Sequence, residues 1–252
     1  MDRMIYTAMT GARQSMQQQS VVTHNLSNVD TSGFRAQLHA MRAVPAQGDS
    51  AHDTRVSAMA STPGSDFSPG PVASTGRALD VAVDGEGMLA VQTPEGEAYT
   101  RRGDIQIDGD GLMTIVGRPV LGDGGPIQVP LGAQVSIGGD GTVSAIGAGE
   151  DSDAIAPVGQ LKLVNGEDEA LVRGEDGLFR AAPAAEGQAP GPLPADENIG
   201  VASGALEGSN VSPVEAMVSM IDVSRRYDMQ MKAISTADEN AQRANSLLQM
   251  QG

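Results

Sequence analysis

"HNLSNVDTSGFR", residues 24–35, closes a long stretch of sequence that carries no proline and a regular apolar rhythm. Asn25 and Asn28 stand three apart at its end, where amide side chains can hydrogen-bond the backbone or a neighbouring chain. Asp30, Thr31 and Ser32 favour turns, and Gly33 can take the positive φ that a helix exit needs. Phe34 then offers an anchor, with Arg35 beside it. A helix cap explains Gly33 but leaves the asparagine pair and the Phe-Arg step without a role.

Upstream of this stretch, Ile5, Ala8, Ala12, Ser15, Gln19, Val22, Leu26 and Val29 alternate by three and four, the spacing of a coiled-coil-like seam. Its knobs are small and partly polar, so the helix depends on packing rather than on propensity. The far end of the chain repeats the pattern. Ser212 reads as an N-cap, Pro213 as the first helical residue, and Glu215 completes a Ser-x-x-Glu capping box. From there Met217, Met220, Ser224, Tyr227, Met231, Ile234, Asp238, Ala241, Asn245 and Leu248 carry a second seam.

Between the two helices the period falls to two. "LDVAVDGEGMLAVQT", "PIQVP", "AQVSIGGDGTVSAIG" and "VGQLKLV" are short β-type runs separated by Asp-Gly, Glu-Gly and Gly-Gly turns. The expected class is α+β: long terminal helices pairing as a coiled-coil-like domain, and a central all-β domain of short hairpins. The expected boundaries are a helix and turn at 1–35, an extended connector at 36–75 and a β domain at 76–181. A Pro/Gly-rich connector at 182–209 and a C-terminal helix at 210–252 complete the chain.

Composition narrows the function. With 252 residues and a formal charge of −16, the chain repels phosphate backbones, so nucleic acid is not an expected partner. Three Phe, three Tyr and no Trp leave the core to Val, Ile, Leu, Met and Ala. The absence of cysteine excludes disulfides, thiolate catalysis and Cys-based metal sites. No apolar run approaches the roughly 20 residues of a membrane span, and the N-terminus has no apolar core of a cleaved signal.

Textual motifs for chemistry fail on physical grounds. "GEGMLA" at 85–90 matches a nucleotide fingerprint, but a phosphate site needs a helix after the glycines, and a strand resumes at Leu89. "DGDG" at 108–111 lacks the further acids of a calcium loop and reads as a hairpin turn. His24, His39 and His52 have no ligand spacing. "RGD" at 102–104 falls where one β run turns into the next, and the sequons at Asn25 and Asn210 read as unused. No catalytic residue, cofactor or metal is expected. The rivals are a secreted β-rich adhesin working through the tripeptide, and an enzyme with a cleft in the β domain.

The pattern Asn25-Leu26-Ser27-Asn28-Val29-x-Thr31-x-Gly33-Phe34-Arg35 resembles the N-terminal signature of bacterial flagellar rod, hook and hook-associated axial proteins. "TGRALDVAVDGEGMLAVQTPEGEAYTRRGDIQIDGDGLMTIVGRPVLGDGGPIQVP" is similar to the β domain of the rod proteins, and "GALEGSNVSPVEAMVSMIDVSRRYDMQMKAISTADENAQRANSLL" to their C-terminal motif. The family usually has aromatics after the glycines of its Asp-Gly-x-Gly turn, where this chain has Met88 and Leu89.

That resemblance covers nearly the whole chain and is closest to the proximal rod members, with a distal rod protein or another axial paralogue as the alternative. It implies a structural subunit of the basal-body rod, exported by the flagellar type III apparatus without a cleaved signal and assembled across the periplasm. The implied partners are other rod proteins, copies of the same chain and, indirectly, the membrane ring. Neither membrane insertion nor catalysis is implied. The residues it singles out are the turn (Asn25, Leu26, Asn28, Thr31, Gly33, Phe34, Arg35) and the apolar positions of the two seams.

Overall fold

The computed structural model describes residues 2–38, 40–45, 56–61, 64–147, 149, 155–166, 171–182 and 191–249. It divides into two compact units. The first is built from residues 1–28, 37–66 and 211–252; the second from 29–36 and 67–210.

The first unit holds two long helices that pack on each other, α1 (Asp2–Ser27) and α2 (Pro213–Gln249). In α1 the expected seam is the inward face: Ala12 and Ser15 are buried, and Ile5, Ala8, Gln19, Val22 and Leu26 are half-buried. Val29 falls beyond the helix, in the turn that follows it. The helix stops there because Asn28 turns its amide back to donate to the His24 carbonyl at 2.9 Å, while its own N–H bonds the Asn25 carbonyl.

At the start of α2, Ser212 Oγ accepts from the Glu215 N–H at 3.4 Å, with Pro213 first in the helix. The inward face of α2 differs from the expected seam. Met220, Tyr227 and Ile234 are half-buried, but Met217 and Met231 are exposed, and the intervening inward positions are Ala216, Val223, Gln230 and Ala237. Small side chains let the two helices approach closely, which large methionines on that face would prevent. Between them, Ser15 Oγ donates to Gln230 Oε1 at 3.1 Å, and a Cβ on Gly11 would stand 2.8 Å from Gln230 Nε2. The Leu248 side chain lies outside the described residues.

The stretch expected as an extended connector at 36–75 contains paired strands instead. Ala40–Pro45 and Val56–Ser61 form an antiparallel hairpin, with Ala43 opposite Ala58. Val72–Ser74 pairs with Ala205–Glu207, which lies in the stretch expected as the second connector, and Val201–Ser203 pairs with Val81–Val83. These pairings join segments far apart in sequence, so local composition does not announce them.

The second unit is a set of small antiparallel sheets. Its largest, of five strands, runs in the order Leu163–Asn165, Gly87–Thr93, Gly96–Thr100, Phe179–Ala181, Leu171–Arg173. Three-stranded sheets form from Gln134–Ile137, Thr142–Ile146 and Ala156–Gln160, and from Gln106–Ile107, Met113–Ile115 and Arg118–Pro119. The main core is aliphatic, built around Val81, Leu89, Val91, Ile105, Val120 and Val143. A second cluster gathers Met88, Tyr99, Val164 and Phe179, with Phe67 tilted on Phe179 at 5.3 Å. Met88 and Leu89, which follow the glycines of the Asp-Gly-x-Gly turn, are both buried.

Candidate functional site

The turn that decided the sequence reading is held at both of its ends. In the helical unit, the Asn25 amide bonds the Gln37 backbone twice: Nδ2 donates to the carbonyl at 3.0 Å and Oδ1 accepts from the N–H at 2.9 Å. Asn25 therefore pairs with the returning chain as a strand backbone would.

In the β unit, residues 31–36 are seated in a socket made from distant parts of the chain. The Phe34 N–H bonds the Thr31 carbonyl, closing a turn, and the Gly33 N–H donates to the Glu207 carbonyl at 2.8 Å. Gly33 has φ of 63°, and a Cβ there would stand 2.4 Å from the Arg101 carbonyl. Two constraints select glycine: left-handed backbone and a backbone neighbour too close for any side chain. Asn210 stitches the same turn, its Oδ1 accepting from the Ala36 N–H at 2.7 Å while its Nδ2 donates to the Ser68 carbonyl.

Phe34 is buried beneath the Arg173 guanidinium, which lies 4.5 Å from the ring centroid and donates from Nη1 to the Arg35 carbonyl at 2.8 Å. A desolvated guanidinium over an aromatic face is worth on the order of 1–2 kcal/mol. Burial lowers the Arg173 pKa.

At the centre are three buried charges. Glu207 Oε1 is 2.7 Å from Arg35 Nη1, a charge contact out of line for a hydrogen bond, and accepts from the Gly70 N–H at 2.7 Å. Glu207 Oε2 accepts from Arg101 Nε, and the Arg101 Nη atoms donate to the carbonyls of Val83, Gly85 and Gly87. Arg35, Arg101 and Glu207 have side chains only 1–2% exposed. Burial pushes the Glu207 carboxyl up, but the Arg101 and Gly70 donors and the adjacent Arg35 charge outweigh it, so it titrates below the usual glutamate value. Burial likewise pulls Arg101 down, against the opposing pull of Glu207. Breaking such a set by removing one partner costs on the order of 3–5 kcal/mol, because an uncompensated charge stays inside.

The sequence pointed to Gly33, Phe34 and Arg35 but not to Glu207, Arg101, Arg173 and Asn210, which complete the socket. Glu207 had one local signal: in the strand Ala205–Glu207 it falls on the same buried face as Ala205.

The tripeptide at 102–104 is part of this socket. Arg102 and Asp104 form a two-point ion pair at 2.9 and 2.7 Å, Ser32 Oγ donates to Asp104, and a Cβ on Gly103 would meet the Val81 carbonyl at 1.6 Å. The other textual motifs resolve as turns. Gly87 opens a strand rather than a helix, and Asp108 accepts from the N–H groups of Asp110 and Leu112. Both sequon asparagines, Asn25 and Asn210, spend their amides on backbone bonds. His24 is exposed, while His39 and His52 lie outside the described residues. Among the described residues no group of three or more His, Asp or Glu converges as metal ligands, and no helix is long and apolar enough to cross a membrane.

Three family models match, in order along the chain: Flagella basal body rod protein at residues 5–35, Flagellar hook protein FlgE/F/G D1 domain at 82–145, and Flagellar basal body rod FlgEFG protein C-terminal at 202–247. The socket takes residues from all three matched segments: Arg35 from the first, Arg101 from the second and Glu207 from the third. The chain is 51% identical to the flagellar basal-body rod protein FlgF of Salmonella typhimurium, over 99% of this chain and 100% of that one. It is 53% identical to FlgF of Escherichia coli K12, again over 99% of this chain and 100% of that one. To FlgG of Bacillus subtilis it is 30% identical, over 94% of this chain and 96% of that one. By full-length identity and by the order of its matched segments, the chain belongs to the flagellar basal-body rod protein family.

Proposed function

We propose that this chain is a structural subunit of the proximal flagellar rod. It polymerises through its terminal helices into the drive shaft that carries torque to the hook, in flagellum-dependent motility. The observation that carries the reading is the end-to-end identity to two FlgF proteins. The outer faces of the helices support the polymerising part. Tyr6, Met9 and Met16 on α1 and Val214, Ile221 and Met229 on α2 are 53–71% exposed, on helices whose mutual seam is small and polar. Apolar faces of this kind mark interaction surfaces, and a helical tube needs heterologous contacts that do not close on themselves.

The partners of this reading are copies of the chain and other rod proteins, with the type III export apparatus upstream and the membrane ring in indirect contact. Its place is the rod across the periplasm. Its work is mechanical rather than catalytic. Terminal helices that order only on assembly would carry an entropy cost that holds back polymerisation before export. The second reading, a distal rod protein, draws on the 30% identity to FlgG of Bacillus subtilis. The adhesin reading is disfavoured by the Arg102–Asp104 pair, which engages both ends of the tripeptide with each other.

Deleting the gene tests the proposal. The deletion strain should fail to swim and should stop before a complete rod, and the gene supplied in trans should restore both. A deletion strain that swims on complete rods would overturn it.

A further inference from the structure

We propose that Glu207 is a latch for the turn at residues 31–36, so that the N-terminal motif is seated only in a chain whose C-terminal motif has already folded into the β unit. The inference goes beyond the rod reading and does not depend on it.

Arg35 and Arg101 bring two guanidinium groups into one buried site, and Glu207 is the carboxylate that meets both. Of the other charged groups facing the cluster, Asp84 is exposed and acts on Arg101 from the loop at 84–86. Arg173 adds a third cation, above Phe34. Asp104 is engaged by Arg102. Until Glu207 arrives, seating the turn would bury Arg35 beside Arg101 without a counterion, a state that like-charge repulsion and desolvation both oppose.

The backbone bonds enforce the same order. The Gly33 N–H needs the Glu207 carbonyl, and the Ala36 N–H needs the Asn210 side chain. Each partner in these contacts that lies outside the turn belongs to residues 101–104, 173 or 207–210. The turn closes last, and its closure registers that the β unit is complete.

Amide exchange on the full chain reads this directly, with Arg35→Ala, Glu207→Gln and the double variant compared. Gly33 and Ala36 report on the turn, and Ala90 and Ile127, bonded to the Lys162 and Val120 carbonyls, report on the core. Arg35→Ala leaves the Arg101–Glu207 pair neutral, so exchange at the turn should rise at least about tenfold while the core holds. Glu207→Gln should release the turn at least as far, and adding Arg35→Ala to it should release the turn no further, since both act on one contact. Unchanged turn exchange in Arg35→Ala, or independent addition of the two effects, would overturn the latch. If Glu207→Gln unfolds the β unit, Arg35→Ala alone decides by the same criterion.

Discussion

A Cβ on Gly33 would stand 2.4 Å from the Arg101 carbonyl, on a backbone whose φ is already 63°. Gly33→Val should therefore unseat the turn while leaving the β strands paired. Left-handed strain and overpacking together should lower the stability of the seated state by about 2 kcal/mol or more. Swimming should be lost, and circular dichroism should still show the strands. Wild-type motility in this variant would contradict the role given to the turn.

Ala12 is 7% exposed on the inward face of α1. Ala12→Pro removes a helix hydrogen bond and kinks the seam at a cost of about 3 kcal/mol or more, so it should abolish motility. Ala12→Ser, which fits the small polar seam, should swim. Equal swimming by both variants would mean that α1 is not a structural element of the tube.

Ile221 is 53% exposed on the outer face of α2. Ile221→Glu should leave the melting temperature of the β unit unchanged yet block rod formation, because it puts a charge on an exposed apolar face of the helical unit rather than in the β core. Normal rods from this variant would remove that face from the assembly surface.

Val116 has φ of 52° in the two-residue turn between Met113–Ile115 and Arg118–Pro119. A β-branched residue is strained there, and asparagine is at ease. Val116→Asn should raise the stability of the β unit by about 1 kcal/mol, measured by urea unfolding. A fall in stability would show that Val116 makes a contact that outweighs its strain.

Acid should loosen the same unit. Glu207 and Asp104 both titrate below their ordinary values: burial pushes each up, and Arg101 with Arg35, or Arg102, outweighs it. The unfolded chain therefore binds protons first as pH falls. The stabilisation is fully present above the ordinary values of 4.5 and 3.8 and is lost as pH drops through the lower folded ones. Melting temperature followed from pH 7 downward should fall along this limb, and Glu207→Gln should flatten it. An acid limb of the same steepness in that variant would remove Glu207 from the cause.

The helices were legible because a three-four rhythm and a Ser-Pro-x-Glu start are local signals. The phase of α2 was less so. Met217 and Met231 look like core by size, yet Ala216, Val223 and Ala237 occupy the face where the backbones approach. Reading size as burial moved half of the seam by one residue. The strands Val72–Ser74 and Ala205–Glu207 were hidden because each is short and finds its partner across the chain. The socket was half legible for the same reason. Gly33, Phe34 and Arg35 sit in one contiguous motif, whereas Arg101, Arg173, Glu207 and Asn210 acquire their roles only when folding brings them together.

The termini offer a further check by limited proteolysis. Their seams are too small and polar to hold a lone helix. Dilute monomer should be cut at both ends, leaving a core within residues 67–210, while assembled rods should resist. Equal protection in both samples would end the idea of folding on assembly.

The most direct measurement is to isolate basal bodies from cells whose own copy of this chain carries an epitope tag in the β unit and that still swim. Immunogold electron microscopy should place the label on the rod, at its membrane-ring end rather than its hook end. Basal bodies with complete rods and no label, from cells that make the tagged protein, would contradict the account.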